Sequence, residues 1–283
     1  MKSVAAGLSM TVLAALTTAC GGGGNDNSQV TGSSTLEPVV AGLTGYSLVW
    51  QDEFETAGLP DEAKWDYDTY RNPQWHNNEL QYYTARRLEN SRIESGSLKI
   101  TALDEPFSSR SNWGGKQYTS TRLVTRGKAE WTYGHFEIRA KLPCAIGTWP
   151  AIWMLGSHTL PAEPNWPASG EIDIMEHVGR DLNKIISAFH YPVYFGGNAK
   201  VATTMVPTAT TEFHVYKLEW TPVSMQIFVD DKLFHTLPNS PSIPYNQNFF
   251  MILNIAMGGT LGGAIDPAFK STTFEIDYVR VYQ

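Results

Sequence analysis

The sequence predicts an all-β chain, a jelly-roll sandwich of two antiparallel sheets. Three observations carry the prediction. Apolar and polar residues alternate along many short segments, turn-forming residues separate them, and no stretch of helical period after the N-terminal segment exceeds about three turns. Alternation is clearest in Ser97-Leu-Lys-Ile-Thr-Ala102, His135-Phe-Glu-Ile-Arg-Ala-Lys-Leu142, Met225-Gln-Ile-Phe-Val-Asp230 and Thr273-Phe-Glu-Ile-Asp-Tyr-Val-Arg-Val-Tyr282. Side chains two apart share a strand face, so each segment has one apolar face to bury. Many such strands share a core as two sheets stacked face to face. Glu94-Ser-Gly96, Asp230-Asp231 and Gly258-Gly259 supply the turns between them.

The first twenty residues read as an export signal: Lys2 gives the positive end and an apolar stretch from Val4 to Leu16 follows. The stretch is too short to be a permanent membrane span. It ends in Leu16-Thr-Thr-Ala-Cys20, which resembles a bacterial lipobox, although Thr17 stands where Leu is usual. The expectation is a lipid-anchored, exported protein, with a plainly secreted one as the alternative. Residues 21–43 are rich in Gly, Ser, Thr and Asn and read as a solvated linker. The globular domain is expected over 44–283 as a monomer. With Cys20 committed to lipid, Cys144 is left as a buried inert thiol.

The 283 residues can bury a large core without staples. A net charge of −7 and the absence of any basic run disfavour a nucleic-acid partner. Nine Trp, thirteen Tyr and twelve Phe suit either a β core or a surface that stacks on sugar rings.

The chemistry concentrates in Gly170-Glu-Ile-Asp-Ile-Met-Glu-His177. On a strand, Glu171 and Asp173 share a face while Ile172 and Ile174 point to the core. Strict alternation would next send Glu176 inward, where an unpaired charge is costly. One extra residue, a β-bulge, returns Glu176 to the acidic face. Two carboxyl groups beside one bond are what glycoside hydrolysis needs. A retaining mechanism wants them about 5–5.5 Å apart, and an inverting spacing stays geometrically open here. Crowding raises the pKa of one of them, which keeps an acid protonated and able to donate. A calcium loop would instead want Asp, Asn and Gly at turn spacing.

Glu171-Ile-Asp-Ile-Met-Glu176 resembles the active-site signature of glycoside hydrolase family 16 in its longer, bulged form. The flanks agree: Asn77-Asn-Glu-Leu-Gln-Tyr-Tyr83, Tyr118-Thr-Ser-Thr-Arg-Leu123, Gly147-Thr-Trp-Pro-Ala-Ile-Trp-Met-Leu155 and Leu253-Asn-Ile-Ala-Met-Gly-Gly259. The likeness spans about 46–283 and is closest to the laminarinase-like endo-β-1,3-glucanases. It implies a jelly roll with a concave substrate cleft and retaining chemistry. Glu171 is then the nucleophile, Asp173 its assistant and Glu176 the acid/base. Asn78, Arg122, Trp149, Trp153 and His190 fall where the family binds sugar, and no cofactor is needed for catalysis. Trp166, in a Pro-rich loop, is left outside the site. A structural calcium ion is also implied, on Glu53, the Gly96 carbonyl and Asp277. The expected substrate is β-1,3-glucan, with mixed β-1,3/1,4-glucan beside it. The alternatives are a galactan hydrolase of the agar or carrageenan type, a transglycosylase, and a non-catalytic glucan-binding protein.

Overall fold

A computed structural model describes residues 45–157 and 165–283, within a compact unit spanning Pro38–Gln283. The signal, the lipobox cysteine and the linker fall outside the described residues. The strands in chain order are β1 (Leu48–Asp52), β2 (Asp66–Tyr67), β3 (Gln81–Tyr83), β4 (Ser91–Glu94), β5 (Ser97–Asp104), β6 (Tyr118–Ser120), β7 (Arg122–Val124), β8 (Gly134–Lys141), β9 (Thr148–Gly156), β10 (Glu171–His177), β11 (Lys184–His190), β12 (Lys200–Met205), β13 (His214–Trp220), β14 (Ser224–Val229), β15 (Lys232–Pro238), β16 (Phe249–Met257) and β17 (Ser271–Tyr282). Among the described residues α-helix is confined to one turn, Gly259–Gly262.

The four alternating segments named above are the cores of β5, β8, β14 and β17. Two of the turns have the left-handed backbone that a tight hairpin requires. Ser95 and Gly96 have φ of 54° and 71°, and Asp230 and Asp231 have 47° and 66°. Positive φ at both central residues gives the turn the twist of its flanking strands, and Asp tolerates that region better than most residues.

The strands form two sheets. One runs β15-β14-β13-β8-β17-β5-β6-β3, with β1 on β17 and β4 on β5; the other runs β12-β11-β10-β9-β16-β7-β2. Their pairings are antiparallel except β3 with β6, which is parallel and corrects the expectation of wholly antiparallel sheets. β17 is the brace of the larger sheet, pairing with β5 along its first half and with β8 and β1 along its second.

One apolar core fills the space between the sheets. Ile100, Phe136, Ile138, Leu218 and Ile276 enter it from the larger sheet, and Ile152, Met154, Ile172, Phe189, Met251 and Leu253 from the smaller. Each such side chain contributes about 1.5–3 kcal/mol on burial. Most of the large aromatics serve this core, with Trp65 and Trp220 fully buried.

β16 is buried at every position. Its odd-numbered residues join the core, whereas Phe250 and Ile252 pack with Val124, Leu155 and Trp153 on the opposite face of the smaller sheet. That second face carries the site.

Cys144 departs from expectation. It is half-buried and disulfide-bonded. The lone-thiol reading assumed that Cys20 had been consumed elsewhere, and Cys20 lies outside the described residues.

Candidate active site

β10 carries the bulge that its sequence requires. Against β9 the partners run Asp173 with Trp153, then Met175 with Ile152 and Glu176 with Ala151, so Ile174 is the extra residue. The register against β11 shifts over the same interval. Ile172, Ile174 and Met175 are all fully buried in the core. Glu171, Asp173 and Glu176 therefore share the other face. Their cross-strand neighbours include Ala188 beside Asp173 and Ala151 beside Glu176. Small residues at these places leave room above the sheet for a ligand.

Each acid has its own environment. Glu176 Oε1 accepts from the Trp149 indole N–H at 2.8 Å. Glu171 accepts a side-chain hydrogen bond from Trp166. His190, directly across from Glu171 on β11, puts Nε2 3.1 Å from Asp173 Oδ2 and 4.0 Å from Glu171 Oε1. Burial raises the Glu171 carboxyl well above the ordinary range, and the charges on Asp173 and Glu176 add to it. Asp173 is pushed well up by burial and then by Glu176. Glu176 is raised by burial, against which the Trp149 hydrogen bond and His190 act. Three acids in one dry patch cannot all ionise, so the cluster retains protons and supplies a carboxylate beside a carboxylic acid.

A second patch continues the same face. Trp153 donates from Nε1 to Asn254 Oδ1 at 2.7 Å, and Asn254 donates to the Tyr83 hydroxyl at 2.9 Å. The Arg122 guanidinium lies between two indoles, 4.5 Å from the Trp153 ring and 5.0 Å from that of Trp75. Its Nε is 3.1 Å from the buried Asp68 carboxylate. Arg122, Asn254, Ala151 and Glu176 are successive cross-strand partners. With strands about 4.8 Å apart, that row reaches some 14 Å across the sheet, room for a chain of sugars lying across the strands.

The family model for glycosyl hydrolases family 16 matches residues 68–280. The chain belongs to glycosyl hydrolase family 16. A β-glucanase of Rhodothermus marinus is 48% identical over 84% of this chain and 85% of its own length. The structure of a laminarinase from the same organism superposes with a TM-score of 0.77 at 48% identity, covering 84% of this chain and 97% of that one. SCLam, described as a non-specific endo-β-1,3(4)-glucanase, was solved as a mutant with 1,3-β-D-cellobiosyl-glucose at its active site. It gives a TM-score of 0.80 at 43% identity, covering 85% of this chain and 95% of that one.

Within this family 16 chain, close contacts join Glu171, Asp173 and His190, a hydrogen bond joins Trp149 to Glu176 on the same strand face, and Arg122 and Trp153 form the adjoining patch. Asn78 is exposed in the turn His76–Asn78 and no described contact ties it to either group. Its neighbour Glu79 is the buried acid of that segment, raised by burial and bonded by Gln81 at 2.7 Å.

Trp166 was excluded on sequence grounds, yet its indole reaches the proposed nucleophile. No local pattern marks a loop Trp for that contact. Asn254 was readable, as a lone amide inside an apolar run.

Strand register draws the three expected calcium ligands together. Asp52 pairs with Val279 and Leu98 with Ile276, which brings Glu53 and Gly96 to the Asp277 segment. Oxygen donors of this kind suit a hard cation. Both carboxylates also hold guanidinium partners, Glu53 with Arg280 at 2.7 and 2.8 Å and Asp277 with Arg139. A metal-competent trio among the described residues is Glu171, Asp173 and His190, whose ligand atoms lie within 4.8 Å of one another.

The acid cluster predicts a stability signature. With its folded pKa raised, Glu171 binds more protons in the native than in the unfolded chain above about pH 4.3, so it lowers stability as pH rises. Glu171→Gln should therefore match the parent's melting temperature near pH 4 and exceed it at pH 7. Each kcal/mol gained corresponds to about 2–4 °C at this size. Thermal unfolding at the two pH values checks it; an equal difference at both would show that ionising a buried, crowded Glu171 is not the cause.

Proposed function

We propose that the chain is a retaining endo-hydrolase of β-1,3-glucan. The observation that carries the reading is the acid pair Glu171 and Glu176 on one strand face, each held by its own indole donor. Family membership supports the reaction class, and the named relatives support the substrate class.

Glu176, protonated, gives its proton to the glycosidic oxygen as the Glu171 carboxylate attacks the anomeric carbon. The carbon–oxygen bond to the leaving sugar breaks and a glycosyl ester forms on Glu171. Glu176, now a carboxylate, takes a proton from water, whose oxygen attacks the same carbon and frees Glu171. Asp173 shares a hydrogen bond with Glu171 and orients it. The part-exposed indoles of Trp149 and Trp153 supply stacking surfaces, and Arg122 with Asn254 supplies polar contacts along the row.

Laminarin should yield a ladder of short oligosaccharides, while agarose and κ-carrageenan stay intact. Glu176→Ala should lose about 10²–10⁴ in rate. With azide and an activated β-glucoside it should form the β-glycosyl azide, and Glu171→Ala the α-anomer. Cleavage of a galactan alone would overturn the substrate, and reversed anomers would overturn the roles.

We propose further that a calcium ion rests on Glu53, the Gly96 carbonyl and Asp277, supported by the convergence of those segments. Chelation should lower the melting temperature without altering the residual rate per folded molecule. An unchanged melting temperature would remove the ion from the account.

Export as a plainly secreted protein is the localisation we propose, from the N-terminal pattern and the disulfide on Cys144. Cys20 is the only cysteine besides Cys144, so lipid there and a disulfide within the chain exclude each other. A soluble chain whose intact mass rises on reduction is the expected result. An envelope-bound chain with a diacylglyceryl N-terminus would refute it.

A further inference from the structure

His190 ends β11, and the chain turns sharply after it. Tyr191 and Tyr194 exchange two backbone hydrogen bonds, each 2.9 Å, closing a tight loop at the strand end. The Asn198 side-chain amide donates to the Val193 carbonyl at 2.8 Å, and the Asn198 backbone N–H to Phe195 at 3.0 Å. This doubly tied loop swings Gly196 back over the strand. There the backbone N–H of Gly196 donates to His190 Nδ1 at 3.1 Å. Trp166 closes the other side, its ring 5.9 Å from His190 and 5.5 Å from Phe195.

A backbone N–H is a donor and nothing else. Nδ1 must then hold its lone pair outward, and the single proton of a neutral imidazole sits on Nε2. That proton faces the acids, with Asp173 Oδ2 3.1 Å away and Glu171 Oε1 4.0 Å away. Asp173 is 3% exposed, and its Oδ2 has no hydrogen-bond partner in the structure, His190 Nε2 being the donor within reach of it. We propose that the Gly196 backbone N–H locks His190 in its Nε2–H form, making His190 a positioning residue whose N–H holds Asp173 Oδ2 as an acceptor beside the nucleophile.

Two consequences follow from the lock. With Oδ2 committed as an acceptor, the proton that Asp173 retains belongs on its other oxygen. The lock also disfavours a metal ion on the Glu171, Asp173 and His190 trio. A metal would need the Nε2 lone pair, which moves the proton to Nδ1 and sets it against the Gly196 N–H.

Two variants separate the ends of the ring. His190→Gln places an amide donor near the Nε2 position and gives up the acceptor for Gly196. His190→Asn keeps an acceptor near Nδ1 and gives up the donor to Asp173. In the full-length protein, His190→Gln should retain about ten-fold more kcat than His190→Asn with similar KM, the upper span of one ordinary hydrogen bond. Equal kcat losses would overturn the proposal, because a merely structural His would favour neither. Two-bond proton–nitrogen correlations on histidine-labelled protein read the tautomer directly, with His190→Gln assigning the signal. Nε2–H is the expected form, and Nδ1–H would refute the lock. The kinetic arm rests on the hydrolase reading, whereas the tautomer is read without substrate, so the two failures are distinguishable.

Discussion

The register of β10 is the constraint on which the site depends. One face of this strand must enter the core and the other must carry three carboxyl groups that repel one another. Ile172, Ile174 and Met175 are fully buried, and they anchor the strand against that repulsion. At about 1.5–3 kcal/mol each, three such anchors set several kcal/mol of burial against the cost of crowding the acids. The cluster is tolerated because it is bolted from below.

The neighbouring strands answer the same constraint from above. β9 alternates Trp149, Ala151, Trp153 and Leu155 on the site face, so an indole stands on either side of the small residue opposite Glu176. One indole is bonded to Glu176 and the other to Asn254, which fixes both ring planes. Arg122 is held by charge from Asp68 and by two aromatic faces. The polar groups of this face are thus immobilised by their own partners, and a ligand bound there would have little ordering left to impose.

The sequence showed what depends on local period. The acids were legible because a Glu two residues after an inward Ile breaks alternation, and only a bulge or an inward charge resolves that. Trp149 and Trp153, four apart on a strand, share a face by arithmetic alone. The parallel pairing of β3 with β6 was not legible, since three-residue strands carry no orientation signal. Trp166 reaches Glu171 through the path of a loop, which no periodicity describes. Gly196 acts through a backbone N–H that every residue except proline possesses, so its letter carries no trace of the role. The arginine partners of Glu53 and Asp277 depend on which rows face across three strands. For Cys144 the error was of inference, because committing Cys20 to lipid removed the only other cysteine from view.

The bulge does something other than choose the face. A strand reading Glu-Ile-Asp-Ile-Glu would already place its acids together by strict alternation. In this protein Glu171 pairs with Leu155 and Glu176 with Ala151, four positions apart on β9, as they would without the extra residue. The spacing of the acids along the ladder is therefore unchanged. What is added is a second apolar side chain on the core side, where Ile174 and Met175 are both fully buried just before Glu176. A bulge also increases local twist, which rotates the end of the strand relative to its start. The two acids thus meet different partners, Glu171 beside Trp166 and His190, Glu176 beside Trp149. Different partners give chemically identical groups separate environments on one strand.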